Sequence, residues 1–275
     1  MPMIRVPLLA AATMLALAHP VAAQPTASPE LTYADMVGLA EASALVLHAR
    51  IRSQVALKPE RAPSLAPGHA RLFIEADTLS LIAGTVPVGQ RLKYLVDVPL
   101  DARGKPPTLK KAEVLLFARP VAGRPGEVQL VGPGAQQLYS ARTEERLRPI
   151  LTALVQPDAP PRVIGVADAL AVKGTLVGES ETQLFLDTQS DGPVSITVVR
   201  RPNQPPRWGV SWTEIVDQAA RPPARETLAW YRLACALPPA PPREANLSRD
   251  AEARALAARD YAFVIEQLGR CEKTR

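Results

Sequence analysis

Several groupings of side chains in this 275-residue sequence have the types and spacing for chemistry. Glu179 and Glu181 are two residues apart, so an extended segment would point both carboxylates to one side. Paired acids hydrolyse glycosides, but only when set at defined separations across a substrate cleft; a solvated strand edge is the plainer alternative. Trp208, Val210 and Trp212 share a strand face, with Arg200, Arg201 and Arg207 flanking the adjoining loop. Arginines beside indoles could hold an anionic or glycan ligand through charge and stacking. The competing expectation is that the indoles pack as core against a helix over Leu147–Leu154, with the arginines solvated around them.

Other patterns carry less. Asp187-x-Gln189-x-Asp191-Gly192 imitates the start of a calcium loop, but Val198 stands where the bidentate Glu is required. A hairpin turn is the expectation there, with Asp-Gly supplying the positive φ. The chain has three histidines, of which His48 falls on the polar side of an alternating stretch and is expected to face solvent. His69 lies in or after a loop. No nucleophile elbow, phosphate-binding loop, dinucleotide fingerprint or His-Glu-x-x-His occurs, so no catalytic residue, cofactor or metal is assigned. Glu179 and Glu181 remain the weaker, catalytic alternative.

The chain that must position these residues is 47% hydrophobic and 21% charged, the composition of a folded globular protein rather than a disordered one. Its first residues have the plan of a secretory leader: Arg5, an apolar run Val6–Ala18, and small residues Val21-Ala22-Ala23 before an expected cleavage. The apolar run is too short to span a bilayer, so an integral membrane protein is not expected. Removing Arg5 takes the formal charge from +5 to +4. The expected location is periplasmic or secreted, which, with no recognition motif present, argues against nucleic acid as a partner. A basic surface fits an anionic envelope component.

Cys235 and Cys271 are the two cysteines of a chain bound for an oxidising compartment, so one disulfide is expected. In a plain helical hairpin they would sit roughly 34 Å apart at about 1.5 Å per residue. A bridge requires Cα atoms within about 7 Å. The Pro-rich linker Pro238–Leu247 resolves this if it runs out extended along the last helix, which then returns.

Periodicity divides the rest. Thr32–Glu41 reads as a helix, with Thr32 as cap and Asp35 three residues on. Strand patterns follow at Leu45–Val55, Arg71–Ala76, Arg91–Val98, Ala112–Ala118 and Glu127–Val131. Thr143–Val155 has helical spacing, and strand signals return at Val163–Val166, Gln183–Asp187, Val194–Arg200 and Arg207–Ile215. The predicted class is α+β: a small β-barrel or sandwich, a helix-covered β-meander, then a C-terminal helical pair. In that pair Pro222-Pro223 open one helix and Ser248 caps the other. The expected divisions are 1–23 leader, 24–140, 141–217 and 218–275.

Over residues 40–140 the strand order, with Val114-Leu115-Leu116-Phe117 as its clearest piece, resembles OB-type barrels of tissue-inhibitor and netrin-like modules. Tissue inhibitors place an N-terminal Cys on a target metal, whereas the mature chain here would start at Gln24, which removes that inference. The whole chain resembles uncharacterised exported proteins of Gram-negative bacteria. The expectation is a non-enzymatic interaction or binding protein of the cell envelope, its partner an envelope protein or anionic envelope component. A hydrolase of an envelope polymer is the alternative.

Overall fold

The computed structural model describes residues 30–190, 192–213 and 220–274. The expected leader, Gln24, Asp191 of the hairpin turn, and Glu214–Ile215 at the end of the last expected strand lie outside these residues. Helix α1 (Tyr33–Ala42) starts where its capping box dictates. The Thr32 hydroxyl accepts from the Asp35 amide at 3.1 Å, and the Asp35 carboxylate accepts from the Thr32 amide at 3.2 Å. The chain then alternates into β1 (Leu45–Ala56), a 3-10 turn at Pro59–Arg61, β2 (His69–Gly84), β3 (Arg91–Pro99) and β4 (Glu113–Pro120). The short strands β5 (Val128–Leu130) and β6 (Gln136–Leu138) close this part.

Helix α2 (Ala141–Leu154) leads into β7 (Val163–Lys173), β8 (Ser180–Thr188), β9 (Val194–Arg200) and β10 (Arg207–Ser211). Helices α3 (Leu228–Ala234) and α4 (Ala251–Leu268) complete the described chain. The class is α+β, with two antiparallel sheets. The larger has the order β3-β2-β1-β4-β5, with β6 also on β4, and the smaller is the meander β10-β9-β8-β7. One parallel bridge, Lys93 to Glu127, links the two ends of the larger sheet's path.

Three apolar clusters hold the chain from Leu31 onward in one compact unit. One face of the larger sheet contributes Leu47, Ile51, Leu72, Ile74, Leu92, Tyr94, Val114 and Leu116 to a single cluster. The reverse side of β1 and β4 offers Val46 and Phe117, which α1 and α2 cover through Met36, Val37, Leu147 and Ile150. Burial on both faces explains why Val114–Phe117 is an unbroken apolar run. The third cluster joins the inner face of the meander to Trp230, Leu233, Leu256, Tyr261 and Val264 of α3 and α4.

Several local expectations are corrected. The helix covering the meander is α4, not the one spanning Leu147–Leu154, because α2 has its apolar face against α1 and Phe117. Strand β2 continues eight residues beyond Ala76, with bulges in its pairing to β1. Strand β7 runs to Lys173 through an alanine-rich stretch whose alternation is weak. Helix α3 is capped by Thr227, and the Pro222-Pro223 pair precedes it by several residues. Asp250 caps α4, while Ser248 is buried and its hydroxyl accepts from the Ala171 amide at 3.0 Å.

Cys235 and Cys271 form a disulfide, their Cα atoms 5.0 Å apart. The linker begins beside the middle of α4, where the Tyr261 hydroxyl donates to the Pro238 carbonyl at 2.7 Å. It ends on the free edge of β7, with the Leu247 amide donating to Ala169 at 2.9 Å and the Ala169 amide to Ala245 at 2.7 Å. So the linker runs out along α4 and caps a sheet edge on the way. Cys271 itself lies past Gly269, the C-cap of α4. The boundary expected at 140/141 falls within the compact unit, at the residue that caps α2.

Candidate functional site

Strands β1, β2 and β3 turn a charged outer face toward the loop between β4 and β5, and a cleft of about 530 Å³ lies between them. The bulge in β1 between Ile51 and Ser53 resets the register, so that Ser53 pairs with Glu75 and Glu75 in turn with Lys93. Two pairs further along β2, Asp77 faces Arg91. The β4–β5 loop is tied across this face by the Lys93 amide, which donates to the Gly126 carbonyl at 2.8 Å. Gly126 has φ of +82°, and a Cβ there would press to 3.3 Å of the Arg91 carbonyl. A glycine is therefore required for the loop to approach so closely.

Most charges lining the cleft are matched. The Ser53 hydroxyl donates to Glu75 at 3.0 Å, and the Lys93 ammonium stands 3.9 Å from the same carboxylate. Arg52 pairs with Asp77 at 3.4 Å and Arg124 with Glu127 at 3.2 Å. Arg91 has no ion-pair partner among the described residues. Exposed pairs of this kind are each worth only up to about 1 kcal/mol, so an arriving anion can take their place at small cost.

The arginine–tryptophan grouping is divided between core and surface. Trp208 is buried in the meander cluster, and Trp212 packs against its margin. Arg200 donates through Nε to Asp260 of α4 at 2.6 Å, and Asp260 is wholly buried. Arg201 and Arg207 are exposed. Glu179 folds back within the β7–β8 turn, accepting from the Leu176 amide at 3.4 Å, and Glu181 accepts from the Gln183 side chain at 2.6 Å. Neither carboxylate is among the described lining of the cleft.

His48 does not face solvent: its side chain is 12% exposed, because the ring stacks on Tyr139 with centroids 3.7 Å apart. Its Nε2 lies 2.9 Å from Glu113, which also receives Arg50 at 2.6 Å. The Arg50 guanidinium first, and His48 second, hold the Glu113 carboxyl below its ordinary range. His69 is exposed and donates through Nδ1 to the Pro67 carbonyl at 3.1 Å. Among the described residues, no group of three or more His, Cys, Asp and Glu is placed to hold a metal ion.

Sequence reasoning did not find the cleft, since its residues are ordinary surface charges brought together only by register and by a distant loop. The one available signal was Pro125-Gly126, a turn dipeptide in the stretch between two strand patterns. It also missed Glu41, a nearly buried carboxylate that receives Arg162 at 3.1 Å and is clasped by Arg232 as well. No protein-family model matches the chain, and no curated protein sequence matches it significantly.

Proposed function

We propose that this is an exported binding protein of the cell envelope, and that it takes an anionic envelope component in the cleft over β1, β2 and β3. The observation that carries the reading is Arg91, a guanidinium with no ion-pair partner among the described residues, in a cleft whose two described lining carboxylates, Glu75 and Glu127, already have cations. The disulfide supports an oxidising compartment. Among the described residues no helix is long and apolar enough to cross a membrane.

The OB-type resemblance is part of this proposal. Its support is the strand order β3-β2-β1-β4-β5 together with the parallel Lys93–Glu127 bridge between the path's ends. OB folds bind ligands on the face of their second and third strands and at the β4–β5 loop, which is where this cleft lies.

Co-sedimentation of the purified protein with peptidoglycan sacculi, and in a separate arm with lipopolysaccharide micelles, tests the reading. At least one polymer is expected to retain the protein in a salt-sensitive way, and Arg91→Ala/Arg52→Ala to release it. Equal retention of that variant, or retention by neither polymer, would overturn the assignment.

A further inference from the structure

A second cleft, of about 320 Å³, opens where the start of α1, the start of α3 and the segment after α4 meet. Its described lining includes two aromatic rings, Tyr33 and Trp230, set edge to face with centroids 6.3 Å apart. It also includes two arginines, Arg225 and Arg270, and two glutamates, Glu226 and Glu272. None of these four charged side chains forms an ion pair with another or with any other described residue. The charges at Glu41, Glu113 and Asp260, by contrast, are matched. What sets these four apart is that charges of both signs, without ion pairs among the described residues, line one cavity.

The arginine in the wall is held in place. Arg225 lies over the Trp230 ring, 5.6 Å from its centroid, and Trp230 is itself fixed by donating its indole N–H to the Leu268 carbonyl at 2.8 Å. A Cβ on Gly269 would collide with the Arg225 guanidinium, and Gly269 has φ of +68°. The positive φ favours glycine where the chain leaves α4 beneath Arg225, whose guanidinium is the end of a flexible side chain and could swing aside from a Cβ. The neighbouring Glu226 holds φ of +55°, a conformation a side chain rarely adopts.

Tyr33 adds a neutral donor. Burial foremost, and the nearby Glu226 charge next, push its hydroxyl up to about 12. The remaining wall is carried by the tail. The Glu272 carbonyl accepts from the Thr32 hydroxyl at 2.8 Å, and the bridge through Cys271 lies between Arg270 and Glu272. The amino end of α1 is already capped by its own Thr32 and Asp35, so it is not the anion receptor here.

We propose that this cleft is a binding site for a small zwitterion, the carboxylate-and-ammonium head group of a free α-amino acid. Arg225 and Arg270 take the carboxylate, Glu226 and Glu272 take the ammonium, and the Tyr33–Trp230 wall takes the side chain. A single charge would satisfy one pair and be repelled by the other, whereas a zwitterion satisfies both. The volume is at the lower end of the ~300–1,000 Å³ range of ligand pockets, which fits a molecule of this size and not a polymer. The site is separate from the cleft over β1–β3 and does not depend on its function.

The test is calorimetric titration of the full, oxidised chain with each of the twenty L-amino acids, paired with the NMR signal of the Trp230 indole N–H. At least one amino acid is expected to bind saturably and to move that signal. Its N-acetyl derivative and its amide, which each keep one charge, should bind at least about tenfold more weakly, the effect of losing a charge-assisted contact. Arg270→Gln, at an exposed position, should lower affinity similarly while leaving the melting temperature in place. Glu272→Gln should spare binding of the amide less than binding of the N-acetyl derivative. Failure of all twenty to bind, equal binding of the single-charge derivatives, or an unchanged affinity in Arg270→Gln would each overturn the proposal.

Discussion

Arg200 on β9 reaches Asp260 on α4 with two nitrogens, Nε and Nη2 each 2.6 Å from the same carboxylate oxygen. The second oxygen accepts from the Thr182 hydroxyl of β8 at 2.5 Å. Asp260 is 0% exposed, so the pair is the polar pin that fixes α4 in azimuth over the meander. Arg200→Ala would leave a buried carboxylate without its cation and should destabilise the fold by about 3 kcal/mol. Asp260→Ala made in that background should recover part of the loss. Chemical denaturation of the two variants checks both; additive losses would mean that Arg200 and Asp260 do not act as a pair.

The same pair marks the limit of what could be read from the chain alone. Thr32 and Asp35 are three residues apart, so the capping box was legible, as was the alternation from Leu45 to Ile51. The disulfide was also legible, because parity and compartment left one pairing and the extended linker made it feasible. Arg200 and Asp260 are 60 residues apart, and nothing local in either says that they meet. From sequence alone Arg200 reads either as part of a ligand surface with Trp208 or as a solvated residue around a Trp core, and Trp208 is core while Arg200 is tied to α4. The identity of the covering helix failed for a related reason. Both α2 and α4 carry apolar stripes, and which one reaches the meander is decided by chain connectivity. The β1–β3 cleft depends on a bulge and on a loop some forty residues beyond β2, both invisible to a periodicity argument.

The Cys235–Cys271 bridge closes a loop with a sequence separation of 36. Chain-entropy reasoning gives such a loop about 4 kcal/mol of stabilisation. Cys235→Ser/Cys271→Ser is expected to melt at a lower temperature than the oxidised wild type, and to match the wild type measured in reductant. Hydrogen exchange should locate the first loss of protection at residues 270–274, since Cys271 ties that segment to α3. Unchanged protection there would show that the tail is held without the bridge.

Gly209, in the middle of β10, is another position with a definite expectation. A Cβ there would run into the backbone and side chain of Ala220, so the chain returning from the sheet lies directly on the strand. Backbone cannot move aside as a flexible side chain can, and Gly209→Ala should cost about 1–3 kcal/mol through overpacking. Gly104 has open space where its Cβ would be and φ of +73°, so Gly104→Ala should show backbone strain alone and a smaller loss. Equal denaturation midpoints for the two variants would contradict the close approach at Gly209.

Asp35 couples the first helix to the end of the chain, and its titration gives the pH dependence of that contact. Burial pushes its carboxyl upward, but hydrogen bonds from Thr274 and Thr32 outweigh burial and leave it below its ordinary value. The Thr274 hydroxyl donates to it at 2.7 Å. A carboxyl lowered on folding contributes stability that is complete above its unfolded value, about 3.9, and is lost as pH falls through the folded one. Protection of the Thr274 amide should therefore hold steady from neutral pH down to about pH 5 and decline below about pH 4. In Asp35→Asn the tail should be more weakly held at neutral pH, and that acid decline should flatten. Parallel acid declines in the wild type and Asp35→Asn would assign the effect to other carboxylates.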